Sequence, residues 1–117
     1  YFNYLVFLDE NENTVINKRT EKGIWHNLYE FPLLETVSPE TDEIIIALIK
    51  NQNLVANEIQ KIALYNPTEI RHKLSHQNLY IRFWKISIKG TLSNGIDWES
   101  VAKFPFPIVI YNFIEKI

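Results

Sequence analysis

Apolar residues along the chain fall into runs and alternations that predict several strands. Residues 2–8 form a near-continuous apolar run, which is typical of a strand buried on both faces. Residues 78–88 show the clearest alternation of apolar and polar side chains, but its phase slips between Phe83 and Trp84. Such a slip predicts a β-bulge or a strong local twist. Residues 59–65 and 70–74 are two further strand candidates.

Shorter elements are predicted between these strands. Residues 14–16 follow a polar turn at residues 9–13, so we expect them to form a hairpin with the first strand. Residues 18–22 are polar and predict a loop. Residues 28–31 predict a short strand that Pro32 stops, because proline has no backbone N–H to donate to a neighbouring strand.

Two helices complete the pattern. Ser38 and Pro39 suit the N-cap and first position of a helix, and an apolar stripe with helical spacing follows at Ile44, Ile45, Leu48 and Ile49. Residues 108–117 repeat that spacing and predict a closing helix. The order of strands, helix, strands and helix predicts an α+β fold, an α/β/α sandwich with a mixed β-sheet and two helices.

Length and composition fit a single domain over residues 1–117. Hydrophobic residues make up 46% of the 117 residues, which is enough for a core, and no apolar run is long enough for a membrane helix. The chain opens on a strand-like run without Met, so we expect it to be a fragment of a longer protein. It contains no cysteine, which excludes disulfides and thiolate chemistry and is compatible with a cytoplasmic location.

Charge is unevenly distributed. The net charge is -2, yet residues 70–96 contain no Asp or Glu and carry five Lys or Arg residues. Such a basic segment can face phosphates, or it can be an ordinary solvated strand face. From charge alone, the solvated strand face is the better interpretation.

Residues 22–32, Lys-Gly-Ile-Trp-His-Asn-Leu-Tyr-Glu-Phe-Pro, resemble a stretch shared by Nudix hydrolases and the C-terminal domain of MutY adenine DNA glycosylases. Tyr29 stands where that stretch has its second Trp. Trp25 and Phe31 can bury large apolar areas. We expect Glu30 to anchor the loop by hydrogen bonds and not to act as a catalyst.

The following segment departs from the hydrolases. In a Nudix hydrolase, two glycines and a helix rich in Arg and Glu come next, and the carboxylates bind magnesium. Here the glycine positions are Leu33 and Leu34. Counted on without gaps, Glu40 falls on the first glutamate of the hydrolase pattern, but the Arg-Glu pair falls on Leu48 and Ile49 and the two later glutamates fall on Gln52 and Asn53. Residues 44–57 contain no carboxylate. We therefore expect no Nudix hydrolase activity, no metal site and no catalytic residue in this stretch.

A second segment resembles MutY alone. Residues 72–76, His-Lys-Leu-Ser-His, are similar to a His-x-Phe-Ser/Thr-His motif that precedes a long strand in MutY C-terminal domains, with Leu74 in place of Phe. Residues 98–117 also resemble the family's ending. The resemblance covers nearly the whole chain and implies a Nudix-like fold.

The resemblance also implies a function in base-excision repair. MutY enzymes remove adenine mispaired with 8-oxoguanine, using a separate catalytic domain with a 4Fe-4S cluster, while the C-terminal domain inspects the lesion. The implied partners are double-stranded DNA with an 8-oxoguanine:adenine pair and the catalytic domain of the same chain; no cofactor is expected in the present fragment. The alternatives are a protein-interaction module on a degenerate Nudix scaffold and a nucleotide pyrophosphohydrolase.

Residue by residue, the motif assigns a DNA-binding role to six positions. Ser75 would read the oxidised guanine, although a serine here can also be a turn residue that bonds its own backbone. Leu74 would press against the bases, and His76 would brace the turn or touch phosphate. His72, Arg71 and Lys73 complete the expected lesion-binding set.

Overall fold

Nine strands and three helices follow one another in a computed structural model, which describes residues 1–74 and 77–117. The strands are β1 (Phe2–Leu8), β2 (Asn13–Thr14), β3 (Asn17–Lys18), β4 (Tyr29–Glu30), β5 (Leu33–Glu35), β6 (Ile59–Leu64), β7 (Ile70–Lys73), β8 (Asn78–Ile88) and β9 (Ile96–Asp97). The helices are α1 (Asp42–Asn51), α2 (Trp98–Val101) and α3 (Ile108–Lys116).

A five-stranded mixed sheet forms the centre of the fold. Its strands run in the order β5-β1-β8-β6, and β7 pairs with the first part of β8. β1 and β8 are parallel from Phe2 opposite Ile81 to Leu8 opposite Ser87, while the other pairs are antiparallel. β1 and β8 lie in the middle of the sheet. β1 is buried on both faces, and β8 is buried mainly on one face along its first half and on the other along its second half, which explains their high apolar content.

Helices cover both faces of this sheet, which confirms the predicted α/β/α sandwich. α3 packs on one face and α1 on the other. We call the two clusters the α3-side core and the α1-side core. The α3-side core contains Phe2, Tyr4, Val6, Phe31, Leu79, Ile81, Phe83, Val101, Val109, Ile110, Phe113 and Ile114. The α1-side core contains Leu5, Phe7, Leu34, Ile45, Ile49, Trp84, Ile86 and Ile88.

The predicted bulge between Phe83 and Trp84 is wrong. β8 pairs with β1 in unbroken register through both residues. The apparent slip arises because the first half of β8 packs against one core and the second half against the other. Phe83 faces the α3-side core, and Trp84 faces the α1-side core. The irregularity lies instead in β6, where the register with β8 shifts between Ile59 and Lys61.

α1 begins four residues after the predicted N-cap. Its N-cap is Thr41, whose hydroxyl accepts a hydrogen bond from the Ile44 amide at 3.4 Å. The Ser38 hydroxyl is already engaged, since it donates to the Glu40 carboxylate. The predicted apolar stripe is confirmed in part, because Ile45 and Ile49 are buried whereas Ile44 is 44% exposed.

The predicted hairpin between the first strand and residues 14–16 is also wrong. β2 pairs with β9, with Asn13 opposite Asp97 and Thr14 opposite Ile96. Asp9 explains this arrangement, because its carboxylate accepts hydrogen bonds from the amides of Asn13 and Leu92. The carboxylate thereby ties the turn after β1 to the turn after β8, and β9 follows that second turn.

The remaining predictions are largely confirmed. β6, β7 and β8 lie within one residue of their predicted bounds, and α3 matches the predicted closing helix. No sequence pattern predicted the four-residue helix α2 or the short strands β3, β5 and β9, and Lys18, expected in a loop, belongs to β3. None of the helices in the described parts of the chain has the length and apolar character that a membrane span requires.

Candidate functional site

The β7–β8 hairpin carries the segment that resembles the MutY motif. The two strands pair from Ile70 opposite Ile81 to Lys73 opposite Asn78. Beyond that pair, the Leu74 amide donates to the Gln77 carbonyl at 2.7 Å. Ser75 and His76, two of the six predicted binding residues, lie outside the described residues. The other four lie on β7 or directly after it.

Alternation along β7 separates these four residues into two pairs. His72 lies opposite Leu79, a residue of the α3-side core, and Leu74 packs against the same core. Arg71 and Lys73 point to the other side of the sheet and are exposed. The six predicted residues are therefore adjacent in sequence, but the four that are described do not share one face.

His72 contacts the other segment that carries the resemblance. The imidazole lies against the Trp25 ring, with 5.4 Å between ring centroids, and Trp25 also packs edge-on against Phe2 at 6.3 Å. Residues 22–32 and 72–74 thus meet at one edge of the α3-side core. This contact has no local signal in the sequence, because the two segments are about fifty positions apart in the chain.

The backbone around Trp25 has an unusual conformation. Trp25 and Asn27 have φ angles of 58° and 68°, in the left-handed region that bulky side chains rarely adopt. Backbone hydrogen bonds hold it there: the Asn27 amide donates to the Arg19 carbonyl at 2.8 Å, and the Leu28 amide donates to the Trp25 carbonyl at 3.0 Å. The tight loop fixes the tryptophan ring against Phe2 and His72.

Glu30 anchors this loop, as the sequence predicted. Its Oε1 accepts hydrogen bonds from Arg19 Nη1 at 2.8 Å and from the buried Tyr4 hydroxyl at 3.1 Å. Arg19 also donates through Nε to the Ile24 carbonyl inside the loop. Burial, followed by the neighbouring Glu30 carboxylate, raises the pKa of the Tyr4 phenol well above its usual value. Tyr4 therefore stays protonated and acts as a donor.

The family model for the NUDIX domain matches residues 3–116. The chain belongs to the NUDIX domain family. Among solved structures, it is similar to a Nudix hydrolase from M. smegmatis, RenU, with a TM-score of 0.65 and 11% sequence identity, over 98% of this chain and 81% of that one. At this identity the likeness concerns the fold alone. No curated protein matches the chain.

The NUDIX family implies a metal site on α1, and the residues present do not fit one. At the positions of the hydrolase Arg-Glu pair, Leu48 is half-buried and Ile49 is 1% exposed within the α1-side core. Gln52 and Asn53 occupy the two later glutamate positions, and amides carry no charge to bind magnesium. Throughout residues 1–74 and 77–117, no three His, Asp or Glu side chains come together as metal ligands.

The acidic residues of α1 lie at its other end. Asp42 and Glu43 occupy the first turn, where they stabilise the helix through its dipole. Two clefts border Asn53. One of about 540 Å³ includes Glu58 and Lys50 in its lining, and one of about 350 Å³ is lined on its polar side by Asn17, Asn57, Ser93 and Asn94, without a carboxylate. This NUDIX domain has leucine, isoleucine and amide side chains where the hydrolases of the family carry the Arg-Glu pair and the two later glutamates.

Proposed function

We propose that this NUDIX domain is the lesion-recognition domain of a MutY-type adenine DNA glycosylase. In that role it inspects 8-oxoguanine opposite adenine, while a separate domain of the same protein excises the adenine and holds the 4Fe-4S cluster. The chain contains no cysteine that would serve such a cluster. The domain itself then supplies recognition and no bond-breaking step.

The observation that carries this proposal is the contact between His72 and Trp25. It brings together the two segments that resemble MutY, and it holds β7 against a loop that Glu30 anchors. A scaffold used only for folding would not require the His-Lys-Leu-Ser-His sequence at this place. The apolar α1 supports the same conclusion, because it removes the metal site of the alternative hydrolase.

Ser75 has the chemistry that discrimination of the lesion requires. Guanine presents an acceptor at N7 in the major groove. Oxidation at C8 makes N7 a donor and adds a carbonyl oxygen beside it. A serine hydroxyl both donates and accepts, and its backbone amide is a further donor, so one residue can satisfy both changed atoms. Leu74, His72 and His76 would support Ser75, and Arg71 and Lys73 would meet phosphates.

An amide NMR titration tests the proposal. The domain is titrated at low salt with a duplex carrying 8-oxoguanine opposite adenine and with a control duplex carrying guanine opposite adenine. We expect larger shifts at residues 74–77 with the oxidised duplex, since phosphate contacts alone are common to both. Ser75→Ala should remove that difference, whereas Ser87→Ala, an exposed serine at the other end of β8, should leave it intact.

Equal shifts with both duplexes would overturn the lesion-reader proposal and favour an interaction module. Magnesium-dependent hydrolysis of nucleotides by the purified domain would favour the hydrolase instead.

A further inference from the structure

The β7–β8 hairpin has two chemically different faces. Paired residues of neighbouring strands point to the same side of a sheet, so the register divides the hairpin cleanly. We call one side the core face, formed by Ile70, His72, Leu79 and Ile81. We call the other side the outer face, formed by Arg71, Lys73, Asn78 and Tyr80.

Most of the core face is covered by the protein itself, and of its four residues Ile70 alone is exposed, at 36%. Leu79 and Ile81 are buried in the α3-side core, and His72 lies against Trp25. A ligand that approached this side would have to displace the tryptophan loop. The outer face is therefore the side on which β7 remains accessible.

The outer face combines exposed cations with an ordered aromatic ring. Arg71 and Lys73 are exposed, and within the described residues neither forms a salt bridge. Tyr80, directly opposite Arg71, is 37% exposed, and its ring stacks on Tyr1 with centroids 5.2 Å apart and 27° between the planes. The stack holds a phenol beside the two cations.

Arg82 adds a third positive charge at the inner end of this face. It is 8% exposed, its Nη1 donates to the Glu40 carbonyl at 2.9 Å, and its guanidinium lies 5.0 Å from the centroid of the Trp84 ring. None of the carboxylates in the described part of the chain forms a salt bridge with it. Its charge is therefore not neutralised by a salt bridge with a described carboxylate. The loop carrying Glu40 lies at the end of the accessible part of the outer face.

We propose that the outer face binds the phosphodiester backbone of duplex DNA, next to the place where the hairpin connection reads the lesion. This proposal rests on the proposed function and adds which face of the hairpin meets DNA. Arg71 and Lys73 are two positions apart on one strand, about 6.6 Å along it, so they can contact successive phosphates. The Tyr80 hydroxyl can donate to a third phosphate oxygen.

A pair of matched double variants tests this assignment. Arg71→Gln with Lys73→Gln removes two charges from the outer face. Lys61→Gln with Lys85→Gln removes two exposed charges from the opposite face of the same sheet, where Lys61 lies opposite Ser87 and Lys85 opposite Ala63. Both proteins have the same change in net charge. Circular dichroism and thermal unfolding verify that each remains folded.

The measurement is duplex affinity by fluorescence anisotropy from 20 to 200 mM salt, with the oxidised and the unmodified duplex. Two lost phosphate contacts should lower the slope of log affinity against log salt by about 1.8 for the outer-face variant. The opposite-face variant should keep the wild-type slope. Preference for the oxidised duplex should remain in both, because phosphate contacts are independent of the base.

The outcomes separate the two proposals. Equal slopes for the outer-face variant and the wild type, or an equal loss in both variants, would overturn the outer-face assignment while leaving lesion recognition intact. A wild-type chain without preference for the oxidised duplex would overturn lesion recognition. The salt-dependence slopes of the two variants would still show which face of the hairpin contacts DNA. Absence of duplex binding at 20 mM salt, even in an NMR titration at millimolar DNA, would overturn both.

Discussion

Asp9 shows how one carboxylate can fix the path of the chain. It is 6% exposed, and its oxygens accept hydrogen bonds from the amides of Asn11, Asn13 and Leu92 at 2.8 to 2.9 Å. Burial alone would raise the pKa of this carboxyl, but the three donors outweigh burial and hold the pKa below its usual value. The ionised form is therefore the one that stabilises the fold.

The lowered pKa of Asp9 leads to a prediction about how stability depends on pH. Because the folded pKa lies below the unfolded value near 3.8, the contribution of Asp9 is fully present at neutral pH and is lost as pH falls through the folded pKa. We expect Asp9→Asn to lower the free energy of unfolding by about 1–3 kcal/mol at pH 7, and by less at an acidic pH below the folded pKa of Asp9. Urea unfolding at both pH values measures this. An identical loss of unfolding free energy at both pH values would show that the stabilisation does not depend on the ionised carboxylate of Asp9. Glu99→Gln serves as a control at an exposed acidic residue.

Arg19 and Glu30 give a second prediction for single residues. Their side chains are 22% and 13% exposed and form a 2.8 Å ion pair that closes the tryptophan loop. A double-mutant cycle with Arg19→Gln and Glu30→Gln should give a coupling free energy of about 1 kcal/mol, measured by urea unfolding. Lys22→Gln, an exposed change in the same loop, should have almost no effect. If the effects of the two single substitutions on the free energy of unfolding are fully additive in the double variant, the ion pair does not hold the loop.

At the level of elements, the start of α1 gives a clear test between sequence pattern and geometry. Ser38-Pro39 has the residue types of a helix start, but the first helical hydrogen bond goes to Thr41. Thr41→Ala should therefore destabilise the domain by about 1 kcal/mol, and Ser38→Ala should cost much less. Thermal unfolding of the two variants compares them directly. A larger loss of stability for Ser38→Ala than for Thr41→Ala would show that Ser38 is the N-cap of the helix.

Elements with dense apolar patterns were predictable from sequence, and short bridging strands were not. The bounds of β8 follow from its alternation over eleven residues. β2 and β9 contain two residues each, too few for a periodic signal, and their pairing depends on the Asp9 side chain. The supposed bulge at Phe83 failed for a related reason, because alternation cannot distinguish a slipped strand from one whose two faces are buried over different stretches.

The same limit applies to the candidate site. Sequence motifs identified the chemical groups of the hairpin, and Glu30 was correctly expected to be an anchor. The contact of His72 with Trp25 and the stacking of Tyr1 on Tyr80 depend on tertiary packing between distant segments. Neither has a local signal, although the alternation in β8 does separate Tyr80 from Leu79 and Ile81.

For the whole molecule, the shared sheet predicts that the two cores unfold together. β1 and β8 contribute side chains to both cores, and Trp84 Nε1 donates to Asn3 Oδ1 across these strands at 3.1 Å. Loss of packing in one core therefore disturbs strands that the other core requires. A matched pair of substitutions tests this, because Ile81 and Ile86 are both fully buried on β8 but face different cores.

We expect Ile81→Val and Ile86→Val each to lower the free energy of unfolding by about 0.5–1.5 kcal/mol. Fluorine NMR of 5-fluorotryptophan separates the cores, since Trp84 belongs to the α1-side core and Trp98 packs against the α3-side core. In each variant the Trp84 and Trp98 resonances should leave their native positions at the same urea concentration, and this concentration should be lower than in the wild type. If Ile86→Val moved the Trp84 transition alone, the sheet would not couple the cores, and the hairpin would then depend for its stability only on the α3 side.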